Sequence, residues 1–420
     1  MSFYTRHGIK LSFSVVEKGS TCALVRYIWS TPPPFNTMHI ALNAQLISTS
    51  ESYRGAGVSN YSLNLLRSLG EQSAQGSAQH AFTAFVNARD LAIPGVALAT
   101  TRLPLHNPLT RIAWEQSVLP ILLQRMHADL VHGLVNVLPL AARLPGVVTV
   151  HDLAFLHTPD RLPALKAAYL ARLCKASVER AAAVIAVSQQ TADDLVRWFG
   201  TPANKITVVH NGVADDFTPA PARAVEAFRI HAGLPERYLL YLGTLEPRKN
   251  LDLLISAFAS WRTEAGPEHR TIKLILAGAK GWFYEDIFQK VAALGLQQSI
   301  LFPGFVPRAD LPNWYRAAEG FVYPSLFEGF GLPVLEAMAC GAPVLCSDIA
   351  SLREVAGDAA LIFPAHDQAA LVNSLHLLID QADLRADLRR RGLLRAAGFS
   401  WRRAAIQTLA IYNSCGRLTT

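Results

Sequence analysis

Cysteine is scarce and scattered. The 420 residues hold five, Cys22, Cys174, Cys340, Cys346 and Cys415, and no two form a CxxC pair. An odd, dispersed set excludes a disulfide framework and a four-thiolate zinc site, and it suits a reducing cytoplasm. The thirteen histidines lack metal-ligand spacing; there is no HExxH. No run of eighteen or more apolar residues is free of charge or proline, which excludes a helical membrane span. The charged start, apolar core and small-residue cleavage site of a secretory signal are missing. Basic residues are not interleaved with aromatics, so a stacking surface for nucleic acid is not expected.

What the chain does have is apolar residues, at 51% of the whole, and length enough for two cores. That composition fits a packed globular enzyme. The net charge of +7 suits anionic substrates or peripheral contact with the inner face of an anionic membrane. Much of it sits in Leu384–Arg403, "LRADLRRRGLLRAAGFSWRR", which reads as a solvated helix face. Residues 1–37 have no helical or strand period and close on three prolines. They are expected to be a disordered, dispensable extension, the product of an upstream start codon, with the fold beginning at Met38.

From Met38 onward, short apolar runs alternate with longer helical patterns. "HIALNAQL", "HAFTAFV", "ADLVHG", "GVVTVHDL", "AAAVIAVS" and "KITVVHNG" read as strands. A proline-bearing stretch, "DDFTPAPARAVEAF" from Asp215, reads as a linker. The alternation then resumes with "YLLYLG", "IKLILAG", "SILFPGF", "GFVYPS", "APVLCSD" and "ALIFPA". This is the pattern of α/β units with parallel sheets. The expected division is 1–37, a first Rossmann-like domain 38–218, a second 219–398, and a last helix 399–420 free to cross back to the first domain. Ligands of such sheets bind outside the carboxyl ends of the strands, so the cleft between two facing units is the default site.

One stretch carries the densest chemistry. "SLFEGFGLPVLEAMACGAPVL", Ser325–Leu345, is apolar or small apart from Glu328 and Glu336, which have seven residues between them. It follows a strand that ends at Pro324-Ser325. A helix from about Leu332, with Pro333 in its first turn, places Gly329 and Gly331 beside free helix N–H groups, where anions bind. The two acids are too far apart to share a proton, yet each can accept from the hydroxyls of a different polyol. The alternatives are a loop acid and an acid complementing the helix dipole.

This stretch resembles the signature of retaining glycosyltransferase family 4, whose members have the GT-B fold: two facing Rossmann-like domains with parallel sheets and an interdomain cleft. The matching residues are Pro324, Ser325, Glu328, Gly329, Phe330, Gly331, Leu332, Pro333 and Glu336, then "AMACGAPV". The resemblance implies that Glu328 lies at the donor hexose and Glu336 at the nucleotide ribose. It also implies that the backbone of Gly329, Phe330, Gly331 and Leu332 contacts the donor. A second element, "YLGTLEPRKN", resembles members that place an Arg-Lys pair on the donor phosphates. It gives Gly243 and Thr244 in the turn and Arg248 and Lys249 as the cations. Stabilising a departing diphosphate is the main electrostatic need of sugar transfer. A third, "TVHD", resembles the first-domain motif near the reacting sugar and singles out His151; His157 has no assignment. A fourth, "SYRGAGVSNY", places Gly55 and Gly57 before a helix, similar to the family's first glycine-rich loop. It is a poor dinucleotide fingerprint, since Asn60 stands at the third glycine.

The implied activity is transfer of a hexose from a nucleoside diphosphate sugar to a glycan or lipid-linked saccharide, without metal or other cofactor. The chain's flavour resembles bacterial mannosyltransferases of surface polysaccharide synthesis, which points to GDP-mannose over a UDP-sugar. The expected catalytic residues are His151, Glu328, Arg248 and Lys249. A nicotinamide oxidoreductase and a non-catalytic sugar-nucleotide sensor are the rivals; the defective glycine motif and the retained Glu and Arg-Lys pairs oppose them.

Overall fold

A computed structural model describes residues 26–27, 37–48, 57–76, 80–88, 90–101, 103, 105, 107–157 and 164–416. Two sheets organise them. The first contains β1 (Arg26–Tyr27), β2 (Met38–Asn43), β3 (His80–Val86), β4 (Val96–Thr100), β5 (Leu130–Gly133), β6 (Gly146–Val150), β7 (Ala183–Ala186) and β8 (Ile206–Val208), in the order β1-β4-β3-β2-β5-β6-β7-β8. Seven of these strands run parallel; β1 alone pairs antiparallel, on β4. The second contains β9 (Tyr238–Leu242), β10 (Lys273–Ala277), β11 (Ile300–Gly304), β12 (Gly320–Tyr323), β13 (Val344–Ser347) and β14 (Ala360–Phe363). It is wholly parallel, in the order β11-β10-β9-β12-β13-β14. The chain therefore has two Rossmann-like α/β domains. Their central strands are mostly apolar because helices cover both faces; every residue of β6 and β13 is buried, Thr149 and Ser347 included.

Three expectations are corrected. The strand β4, "VALAT", is not among the expected strands, although four of its five residues are apolar. The linker is shorter than its composition suggests: Pro221 ends it, and Ala222–His231 is already helical. Of the extension 1–37, only Arg26, Tyr27 and Thr37 lie within the described residues, and Arg26–Tyr27 is a short edge strand rather than unstructured chain.

The basic run near the end also differs from a merely solvated face. In helix Ala382–Ala396, Arg385 donates to the carbonyl of Leu378 at 2.8 Å, Arg389 to Gly341 at 2.7 Å and Arg395 to Val355 at 2.9 Å; Arg391 reaches the carbonyl of Asp358. These guanidinium groups satisfy carbonyls left open at helix ends and turns.

Helix Trp401–Gly416 packs on helix Val58–Ala74 and on β5 of the first domain. Its Trp401, Ala405, Leu409 and Tyr412 are buried, the face that the three- and four-residue spacing indicates. One contiguous apolar cluster includes Ile40 and Leu65 of the first domain, Trp401 and Leu409 of this helix, and Leu240 and Val322 of the second. A smaller cluster fills the other face of the first sheet. Among the described residues, no helix is long and apolar enough to cross a membrane.

The crossing depends on Gly212. Its neighbour Val213 donates to the carbonyl of Phe399 at 3.2 Å, and a Cβ on Gly212 would lie 2.1 Å from the backbone nitrogen of Trp401. Backbone cannot yield as a side chain can. Gly212→Ala is therefore expected to destabilise the protein by about 1–3 kcal/mol, read as a lower unfolding midpoint in urea.

Candidate active site

Strands β9 and β12 are neighbours in the second sheet although their loops are some 80 residues apart in the chain. The loops beyond their carboxyl ends meet, and there the structure builds an ion cluster. Pro247–Lys249 is a single 3-10 turn. Lys249 is buried, and its Nζ donates to Glu328 Oε1 at 2.6 Å and to the Tyr323 hydroxyl at 2.8 Å. Arg248 donates to Glu328 Oε2 at 3.1 Å, to the carbonyl of Phe327 at 2.7 Å and to Glu246 Oε1 at 2.8 Å. Glu328 Oε1 also accepts from Tyr323 at 3.0 Å and from Ser325 Oγ at 2.6 Å. Burial alone would push the Glu328 carboxyl up. Lys249 and Arg248 outweigh it, and the hydrogen bonds add to them, holding the group at about 2.

Glu336 is different in kind. It stands five residues into helix Leu332–Ala339, which Gly331 caps at φ 110°. Its carboxylate accepts one bond, from the Tyr315 hydroxyl at 3.2 Å. Burial pushes its pKa up to about 7, against the pull of Arg308 and of that bond. So the two acids of the motif are opposites: one saturated by cations, the other buried and lacking an ion-pair partner among the described residues.

Gly329 joins this loop to the first domain. A Cβ there would lie 1.9 Å from the carbonyl oxygen of His151. The Gly329 carbonyl accepts from Ser188 Oγ at 2.6 Å; the same Ser188 Oγ caps helix Gln189–Phe199. Phe330 is buried and tilts against His210 at 5.9 Å. Phe327 stacks on His157 at 4.4 Å, which gives that unassigned histidine a place in the domain contact. Glu354 accepts from the Gln189 backbone N–H at 2.8 Å and approaches His210 Nε2 at 2.6 Å across the same boundary.

His151 follows directly on β6. Its Nε2 donates to the carbonyl of Leu134 at 2.8 Å, and its backbone N–H donates to Asn136 Oδ1 at 2.9 Å. Burial lowers its pKa, so the ring is neutral near pH 7. With the proton on Nε2, Nδ1 keeps its lone pair for a hydroxyl donor.

The structure thus brings together His151, Gly329, Phe330, Gly331, Leu332, Glu328, Arg248 and Lys249, with Glu336 one turn behind. Gly243 and Thr244 lie in the turn after β9, where the Thr244 carbonyl accepts from Tyr241 at 3.1 Å. Gly57 immediately precedes helix Val58–Ala74, at φ 51° with open space about its Cα; Gly55 lies outside the described residues. Sequence reasoning gave no role to Tyr323, Ser325, Glu246, Tyr315 or Ser188, although Ser325 and Glu246 lie within its motifs. Ser325 and Tyr323 are legible in retrospect as the polar residues flanking Pro324. Glu246 stands two residues before Arg248, whereas Tyr315 and Ser188 lie outside the four motifs.

Residues 225–395 match the model for glycosyl transferases group 1, and residues 55–217 that for glycosyltransferase family 4. The O-antigen chain mannosyltransferase B of Escherichia coli is 36% identical over 271 residues, 64% of this chain and 70% of that enzyme. The chain is a family 4 glycosyltransferase. The serotype-specific mannosyltransferase WbdA of E. coli is 31% identical over 62% of this chain, but the match spans only 32% of WbdA. The glycosyltransferase also shares the fold of sucrose-phosphate synthase from Thermosynechococcus elongatus, at a TM-score of 0.74 and 22% identity over 90% of this chain and 98% of that one. The architecture is accordingly GT-B.

The two carboxyls give the ligand-free glycosyltransferase a testable pH signature. The buried Glu336 binds its proton more tightly folded than unfolded, so its contribution to stability declines as pH rises from about 4.5 to about 7. Glu336→Gln removes that decline. Thermal melts should place the variant above the parent at pH 8, by up to roughly 3 kcal/mol, and level with it at pH 4.5. Glu328 has the opposite sign: its pairing stabilises above about 4.5 and is lost as pH falls towards 2.

Proposed function

We propose that this glycosyltransferase moves mannose from GDP-mannose, with retention at the anomeric carbon, to a hydroxyl of a glycan or lipid-linked saccharide of a surface polysaccharide. The observation that carries the reading is the contrast between the two motif acids. Glu336, buried with one phenolic donor, has open acceptor capacity suited to the vicinal hydroxyls of a ribose. Glu328 sits in the loop that touches His151, where the hexose would lie between the domains. The relation to a mannosyltransferase of O-antigen chains supports mannose as the sugar.

Glu246 and Glu328 balance Arg248 and Lys249, so the cluster is formally neutral in the ligand-free protein. A diphosphate entering beside Arg248 competes with Glu328 for the guanidinium. It takes over the cations and frees Glu328 to accept from hexose hydroxyls. The bond between the anomeric carbon and the diphosphate oxygen then breaks. The leaving charge is met by Arg248, by Lys249 and by free N–H groups at the start of helix Leu332–Ala339. His151 Nδ1 accepts from a sugar hydroxyl, and the acceptor hydroxyl attacks from the face the diphosphate leaves, its proton passing to the departing diphosphate oxygen. In this scheme Arg248 and Lys249 take the part of a divalent cation. Transfer should persist in excess chelator, and activity restored only by Mg²⁺ or Mn²⁺ would contradict it.

Calorimetric titration with GDP, UDP and ADP tests the donor: GDP should bind most tightly, and preference for UDP would shift the assignment to a UDP-sugar. Glu336→Gln should weaken GDP binding by about 1–3 kcal/mol. Glu328→Gln should bind GDP as tightly as the parent or tighter, while turnover of GDP-mannose falls about a hundredfold. Equal loss of GDP affinity in both variants would reverse the roles given to the two acids.

A further inference from the structure

Four buried polar side chains form a single hydrogen-bonded line through the first domain. The Tyr412 hydroxyl lies 2.6 Å from His132 Nδ1, His132 Nε2 lies 2.8 Å from Thr149 Oγ1, and Thr149 Oγ1 lies 3.0 Å from the Tyr61 hydroxyl. The residues come from four separate elements: helix Trp401–Gly416, β5, β6 and helix Val58–Ala74. None is more than 3% exposed. The line stops at Tyr61, whose ring meets the His151 imidazole at 4.5 Å and an interplanar angle of 87°. Trp401 backs the same tyrosine at 5.7 Å.

Stability alone does not ask for such a line. Phe, Leu, Val and Phe would fill the same space without leaving polar atoms to satisfy, and a buried polar network is at best break-even against an apolar core of equal shape. What the line adds is orientation. Burial lowers the His132 pKa to about 3 and keeps the ring neutral, so it donates at one nitrogen and accepts at the other. The hydroxyl directions are then coupled along the line, and Tyr61 is pinned at both ends, by Thr149 at its oxygen and by Trp401 at its ring. A pinned ring presents a fixed edge to His151. The Leu134 carbonyl sets the tautomer of that histidine, and Tyr61 restricts its rotation.

We propose that Tyr61 is a positioning residue for His151, and that Tyr412, carried by the C-terminal helix, sets Tyr61 in place through His132 and Thr149. The helix that crosses from the second domain thereby reaches the reacting end of the first. This rests on the reading of His151 as a sugar-contacting residue.

The test uses the full chain and two readouts. The first needs no substrate. In long-range ¹H–¹⁵N spectra, the parent's His151 should show one fixed tautomer protonated at Nε2. Tyr61→Leu should move its two ring nitrogens towards the averaged shifts of a mobile imidazole, and Tyr412→Phe should do so in part. The second is turnover of GDP-mannose with water as acceptor. Tyr61→Leu should lower it about tenfold. Thr149→Val and Tyr412→Phe should each lower it about fivefold, the worth of one hydrogen bond. Thr149→Ser, which keeps the hydroxyl, should restore it. GDP affinity should stay within about twofold throughout, because that site lies in the other domain. In a His151→Ala background, Tyr412→Phe should have no further effect on turnover. Unchanged His151 nitrogen shifts in Tyr61→Leu overturn the proposal, as does an undiminished Tyr412→Phe effect in the His151→Ala background. Full activity in His151→Ala alone overturns the sugar-contact reading and the relay with it, whereas loss in His151→Ala with no loss in Tyr61→Leu overturns the relay only.

Discussion

The site hangs on the ion cluster around Glu328. A lone carboxylate at that depth would cost several kcal/mol, and so would a lone Lys249 ammonium. Each is tolerable only because the other is there, with Arg248 on the second oxygen and two hydroxyls completing the first. This mutual dependence ties the 3-10 turn after β9 to the loop after β12. It also fixes where Gly329 falls, and Gly329 is where the second domain touches His151. Cluster, loop and domain contact are one continuous arrangement.

The same cluster explains how one loop can serve both halves of a sugar nucleotide. A cationic pair exposed to solvent would be ready for phosphate but disordered by its own repulsion. Paired with Glu328 and Glu246 it is held in position and formally neutral. Glu336 needs no such guard, because it sits inside a helix with Tyr315 above it and titrates near neutrality. The two acids of one motif are thereby set to opposite electrostatic states by what lies around them.

The loop after β12 meets the first domain through small, directional contacts. A glycine without a Cβ meets a carbonyl oxygen, a serine that caps one helix also holds the opposite loop, and a phenylalanine stacks on His157. Glu354 meets the first N–H of helix Gln189–Phe199, where the helix dipole favours a carboxylate. Such contacts are short and directional, and they lie beside the apolar cluster that the two domains share.

The alternation of apolar runs and helical patterns was enough to read two α/β units, since a parallel sheet covered on both faces must spell its central strands in buried residues. Local chemistry likewise marked Glu328, Glu336, the glycines and the Arg-Lys pair, because each lies within a few residues of a strand end or helix start. The strand β4 is a short apolar run too, but without a helical pattern between it and β3 the alternation does not mark it off. Nor could the sequence say that Arg248 and Lys249 are bound by Glu328, that Glu336 has no ion-pair partner among the described residues, or that Tyr412 reaches His132. Those facts join residues 80 to 280 positions apart, and which of them meet is decided by strand order and by the path of the last helix. Periodicity records what a residue's own element buries. Only the packing of distant elements determines which charge lies next to which, and a buried group's protonation follows from that.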